Sequence, residues 1–94
     1  MTVYIAGPMS GTPDLGRKAF NQAEMALRAK GHRVLNPACL PIDLPPKAYA
    51  PICLAMLMQC DAIALLPGWE NSPGACMEHE VALYQGMKTM EVGA

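Results

Sequence analysis

The sequence predicts a three-layer α/β domain, flavodoxin- or Rossmann-like, with four parallel strands in the order 2-1-3-4 and helices on both faces of the sheet. Three observations predict it. Short β-branched or apolar runs alternate with helix-length segments along the whole chain, giving β-α-β-α-β-α-β. Glycine or proline closes almost every run. No repeat or low-complexity tract interrupts the alternation, so residues 1–94 read as one domain. Right-handed crossovers leave few topologies. In the order 2-1-3-4 the chain leaves strand one in one direction and strand three in the other, and a crevice opens at that switch point, outside the carboxyl ends of the strands.

Strand one is TVYIA, Thr2–Ala6, stopped by Gly7-Pro8. The turn-rich stretch Ser10-Gly11-Thr12-Pro13-Asp14 follows, and either Thr12 or Asp14 can cap the next helix. Over residues 15–30, Ala19, Phe20, Ala23, Ala26 and Leu27 recur at helical spacing, with Gly31 in place for a left-handed C-cap. Strand two is HRVLN, residues 32–36, stopped by Pro37. Residues 37–51 hold five prolines (Pro37, Pro41, Pro45, Pro46 and Pro51) and form a stiff irregular loop. Helix two is expected to start between Pro46 and Pro51 and reach Gln59. Strand three is AIALL, residues 62–66, and a second long loop spans 67–74. The third helix covers about residues 75–85 up to Gly86, and KTMEV, residues 88–92, is the last strand.

Composition narrows the function. The apolar fraction is 52% and the charged fraction 16%, so part of the apolar excess is expected to be buried between subunits. Eight methionines support an adaptable core or interface. A net charge of -1 leaves no electrostatic footprint for duplex nucleic acid or an anionic membrane. The N-terminus carries no secretory signal pattern. No stretch reaches the roughly 18–20 apolar residues that span a bilayer. The cysteines Cys39, Cys53, Cys60 and Cys76 form no C-x-x-C pair, and only His32 and His79 could join them as soft ligands. They read as reduced, mostly buried thiols of a cytoplasmic protein, with no metal site and no cofactor implied.

The three loops with unusual composition, 7–14, 37–51 and 67–74, all belong at the carboxyl end of the sheet. Gly7, Pro8, Met9, Ser10 and Gly11 link strand one to a helix, where glycine admits a ligand close to backbone N–H groups and a helix start favours anions. The segment is neither G-x-G-x-x-G nor a P-loop; the alternative reading is an ordinary strand-to-helix turn. In the third loop, Gly74 and Ala75 permit close approach at a helix start. Glu78 follows one turn later, with its carboxylate directed back toward the crevice. A carboxylate there suits a nucleophile at an electrophilic sugar carbon, or a general base; a dipole-stabilising glutamate in a first turn is the alternative. Glu70 and Glu80 read as surface residues. Trp69 either stacks on a base over the pocket or packs at a subunit interface. Tyr4 either points into the crevice or is a core tyrosine with a satisfied hydroxyl. Asp61, at the amino end of strand three, reads as a cap for the preceding turn. His79 lies about 100° around the helix from Glu78 and reads as a surface or interface histidine.

Tyr4-Ile5-Ala6-Gly7-Pro8-Met9-Ser10-Gly11 resembles the first loop of the nucleoside 2-deoxyribosyltransferase-like superfamily. So do residues 60–66, Ser72-Pro73-Gly74-Ala75, Glu78, Ala82 and Gly86. Within the superfamily the chain is most similar to short bacterial and phage proteins with an L-P-G-W-x-x-S-x-G-A-x-x-E signature, here residues 66–78. The resemblance implies that Glu78 is the nucleophile that attacks the anomeric carbon of a ribosyl or deoxyribosyl group and releases the base, the sugar then passing to another base or to water. It places Ser72, six residues earlier, where transferases carry an acid and nucleotide hydrolases carry a serine that holds a 5′-phosphate, with Ser10 and the backbone of residues 7–11 completing the cradle. It implies a nucleoside or nucleotide as partner, and a homodimer or larger homo-oligomer in which a neighbour completes each pocket.

Two departures stand out. Helix two has no acid in Ile52-Cys53-Leu54-Ala55, and Met9-Ser10 stand where some nucleotide hydrolases have arginine. An N-glycosidase or deoxyribosyltransferase is therefore weighed against a binding protein that holds a nucleotide or its derivative without cleaving it, and against a structural protein that keeps only the fold.

Overall fold

A computed structural model describes residues 1–9, 11–41 and 43–92, with Pro46 described by its backbone alone. The sheet has the order β2-β1-β3-β4 with every pair parallel. Its strands are β1 (Thr2–Ala6), β2 (Arg33–Leu35), β3 (Ala62–Leu65) and β4 (Lys88–Glu91). The crossovers are α1 (Arg17–Ala29), α2 (Pro46–Leu57) and α3 (Pro73–Tyr84).

Alternation along β1 sorts the core into two halves. Val3 and Ile5 join Phe20, Ala23 and Leu27 of α1 on one face, with Val34, Ala62, Ala64 and Leu66. Tyr4 and Ala6 join Cys53 and Leu57 of α2 and Ala75 and Ala82 of α3 on the other, with Ile63 and Leu65. Strands buried on both faces read as continuous apolar runs, which is why VYIA and AIAL lack polar alternation.

Element ends differ from the sequence expectation for local reasons. Helix α1 starts at Arg17 because Leu15 sits at φ 55° and Gly16 at φ 76°, both left-handed. Asp14, not Thr12, supplies the cap: its carboxylate accepts the N–H groups of Gly16 (3.1 Å) and Lys18 (2.9 Å). Thr12 donates its hydroxyl to the Met9 carbonyl instead. Strand β2, Arg33–Leu35, is shorter than the expected residues 32–36. The His32 N–H closes the end of α1 on the Leu27 carbonyl. Asn36 turns away to cap a short 3₁₀ turn, Pro37–Cys39, while its amide donates to Asn21 and Glu24 of α1. Helix α2 runs through Pro51, which lacks an N–H; the turn bearing it is exposed, so water can reach the freed carbonyl. Helix α3 begins at Pro73, a proline suited to the first helical position, with Ser72 as its cap.

Asp61 corrects an expectation. It does not cap the preceding turn; its Oδ2 accepts the Thr2 N–H at 2.9 Å, and its own N–H reaches the Thr2 carbonyl at 2.8 Å. The pair pins the start of β1 beside β3. The cysteines are free thiols of mixed exposure, Cys53 buried and Cys39 exposed, so the expectation of mostly buried thiols holds only for Cys53. Among the described residues no helix is long and apolar enough to cross a membrane, and no three potential metal ligands cluster.

Candidate active site

A pocket of about 580 Å³ opens outside the carboxyl ends of β1 and β3. The β1 end gives it Tyr4, Gly7, Pro8 and Met9; the proline-rich loop and the start of α2 give Leu44, Tyr49, Ala50 and Cys53. Ser72, Gly74, Ala75 and Glu78 come from the start of α3. The convergence follows from parallel strands: each crossover leaves from the same edge of the sheet.

Glycine at position 7 has a steric cause. A Cβ there would stand 2.8 Å from the Leu66 Cβ, so only glycine lets the loop leave β1 flush against the end of β3. The start of α3 is held by Ser72, whose Oγ accepts the Ala75 N–H at 3.3 Å. That bond uses an oxygen lone pair and leaves the serine hydroxyl proton available to a ligand.

One helical turn on, Glu78 reaches across to β1. The Tyr4 hydroxyl donates to Glu78 Oε2 at 2.6 Å, joining residues 74 positions apart in sequence. Oε1 accepts no hydrogen bond from the described residues. Burial pushes the Glu78 carboxyl up to about 7, and the Tyr4 hydrogen bond opposes part of that rise. Tyr4 itself is only 1% exposed, and burial together with the neighbouring carboxylate raises its hydroxyl far above the ordinary tyrosine range. Burial likewise raises the Cys53 thiol, which stands beside Tyr4 on the α2 wall. The pocket thus holds a half-buried carboxylate, poised near neutrality, with one oxygen fixed and the other free. Such a group can act as a nucleophile or a base.

The proposed site residues separate into three sets. Glu78, Tyr4, Gly7, Pro8, Met9, Ser72, Gly74 and Ala75 line the pocket. Both alternatives for Tyr4 hold at once: its ring is core and its hydroxyl meets Glu78. Gly11 and Trp69 fall outside the lining. Gly11, at φ 82°, carries the loop into open space. Trp69 sits in a 3₁₀ turn with its ring edge-on to His79, centroids 4.8 Å apart, and packs on the α2–α3 side of the core. Ser10 lies outside the described residues.

Tyr49, Ala50 and Cys53 join the lining without having been singled out as ligand-contacting. Their i, i+1, i+4 spacing on the first turns of α2, just after a loop already assigned to the crevice, is the signal that would have found them. Leu15, in left-handed conformation, also lines the pocket.

Over residues 1–91 the chain matches the family described as Domain of unknown function (DUF4406), and it belongs to that family. No curated protein matches. Among solved structures it is similar to a 2-desoxiribosyltransferase from Leishmania mexicana, at 26% identity and TM-score 0.76, covering 96% of this chain and 62% of that one. It is also similar in fold to a Clostridium botulinum CMP N-glycosidase, BcmB, at 21% identity and TM-score 0.68, covering 97% of this chain and 67% of that one. The chain spans about two thirds of the length of these proteins or slightly less.

Proposed function

We propose that this protein cleaves or transfers at the N-glycosidic bond of a nucleoside or nucleotide, with Glu78 as the nucleophile. The observation that carries the reading is the 2.6 Å bond from Tyr4 to Glu78 Oε2 at the wall of an open pocket. It fixes the carboxylate and leaves Oε1 for attack. In the proposed step Oε1 bonds to C1′, the C1′–N bond breaks, and its electron pair leaves with the base. Water or a second base then attacks C1′ of the glycosyl ester and restores the carboxylate. The two similar structures, a 2-desoxiribosyltransferase and a CMP N-glycosidase, support a reaction of this class. The Ser72 hydroxyl, the Gly74 N–H at the start of α3 and the Gly7 and Met9 N–H groups of the first loop suit the oxygens of the sugar or of a 5′-phosphate.

In the same reading the working form is a cytoplasmic homodimer or larger assembly. Met77, Leu83 and Tyr84 of α3 and Ile52 of α2 are exposed, Tyr84 at 87%, and a partner subunit would cover such side chains.

A second reading, binding without cleavage, is favoured by one observation: α2 brings no carboxyl group to the pocket wall. Incubation with a panel of nucleosides and nucleotides separates the two. Free base released by the wild type and not by Glu78→Gln supports cleavage. Tight binding with no base released, or equal release by both proteins, contradicts it.

A further inference from the structure

We infer that Leu15 and Leu44 form the seat for the base of the substrate and hold its ring by the apolar face. The inference rests on the glycosidic reading above and assigns base-contacting side chains within that site. Both leucines line the pocket. Both are half-buried, yet neither belongs to either half of the core or to the side chains packed against it. Apolar surface placed at a cavity and outside the core gains most from a ligand that displaces water from it.

Leu15 carries the argument furthest. At φ 55° it is the one non-glycine residue with positive φ among the described residues. A leucine in that conformation crowds its Cβ against the following carbonyl oxygen, whereas glycine adopts it freely. The turn fixes the conformation from both sides. The Leu15 N–H reaches the Thr12 carbonyl at 3.3 Å, and the Asp14 carboxylate holds the Gly16 N–H at 3.1 Å. Gly16, also left-handed, is a glycine for a steric reason: a Cβ there would stand 2.5 Å from the Pro8 carbonyl oxygen. Position 15 therefore keeps a strained leucine where glycine would serve the turn as well. Such strain gathers at binding and catalytic sites, and Leu15 meets the pocket and not the core.

Leu44 comes from the proline-rich loop, which is fastened on two sides. The Pro41 carbonyl accepts the Tyr49 hydroxyl at 2.7 Å and the Leu44 N–H at 3.4 Å. Arg17, just beyond Leu15, donates to the Leu40 carbonyl at 3.1 Å. The two leucines thus sit on segments joined by a direct hydrogen bond. Ser72, Gly74 and Glu78 bring polar groups to the same pocket from the start of α3. With C1′ at Glu78, the sugar takes that polar side and the base extends to the leucines. The face of a heteroaromatic base is its least polar surface.

The test is Leu15→Gly, with Leu44→Ala beside it and the core substitution Leu27→Ala as the reference for a structural leucine. Kinetics are read with adenosine, cytidine and their 5′-monophosphates, stability by urea melts and mass by sedimentation. Leu15→Gly should keep the wild-type urea midpoint, because the strain relieved offsets the freer unfolded chain. It should raise KM about tenfold, well beyond any change in kcat, since a side chain covered by the base helps equally before and during bond breaking. Leu44→Ala should raise KM in the same way. An unchanged KM in Leu15→Gly would overturn the inference and leave the glycosidic reading standing. So would a midpoint that falls as far as that of Leu27→Ala, or a lower sedimentation mass, which would make Leu15 a subunit contact. Release of base from none of the four compounds by the wild type overturns both.

Discussion

At Glu78 burial and hydrogen bonding pull the carboxyl in opposite directions. Burial raises it to about 7, and the Tyr4 hydroxyl resists. Among the described residues that line the pocket, Glu78 faces Tyr4 from β1 and Cys53 from α2 and no basic side chain. As a nucleophile it must be ionised, so kcat/KM should rise with pH along a limb centred near 7. Tyr4→Phe removes the bond that favours the charged form. The limb should move upward, with about tenfold lower kcat/KM at pH 6, since a hydrogen bond to a charged group is worth about 1.5–3 kcal/mol. An unmoved limb would show that Tyr4 does not hold the carboxylate. Glu78 was legible in the sequence because its place one turn beyond the Ser72-Pro73-Gly74 helix start fixes where its side chain goes. Its partner was not, since 74 residues separate Tyr4 from Glu78 and only the β1–β3 pairing brings their ends together. Trp69 misled for the converse reason. Being the only tryptophan in a loop marks a residue as notable, but not which neighbour its ring will find, here His79.

The elements were readable where a single run decides them and less so at their ends. Strand β1 and the strand order follow from unbroken apolar runs joined by right-handed crossovers. The start of α1 depends on Leu15 and Gly16 in left-handed conformation, which no periodicity reveals. At α3 the Ser72 cap both starts the helix and shapes the pocket floor. Ser72→Ala should cost about 1 kcal/mol of stability, read as a lower urea midpoint with an unchanged slope. Gly7→Ala tests the close approach of β1 to β3. The added methyl meets Leu66 at 2.8 Å, so the two strand ends must separate, at about 1–3 kcal/mol and with the pocket widened.

For the whole molecule, the raised carboxyl couples folding to pH. Glu78 goes from an ordinary value near 4.5 in the unfolded chain to about 7 in the fold. Between those values the folded state binds more protons than the unfolded one. This group's contribution to stability is therefore complete below about 4.5 and is lost as pH rises through 7, by about 3 kcal/mol in all. Glu78→Gln should abolish that slope and exceed the wild type in stability at pH 8; denaturant melts from pH 4 to 8 read both. The exposed apolar side chains of α2 and α3 bear on assembly. Under the proposed homo-oligomer, Tyr84→Lys should lower the mass seen in sedimentation toward that of one chain, whereas an unchanged mass would place any interface elsewhere.

The most direct measurement is the intact mass of the protein after incubation with a 2-fluoro-arabinosyl nucleoside, whose fluorine slows breakdown of a glycosyl ester. The account predicts one added sugar, located on the peptide that carries Glu78 and missing from Glu78→Gln. A sugar attached to any other residue, or base released steadily while Glu78 stays unmodified, would contradict it.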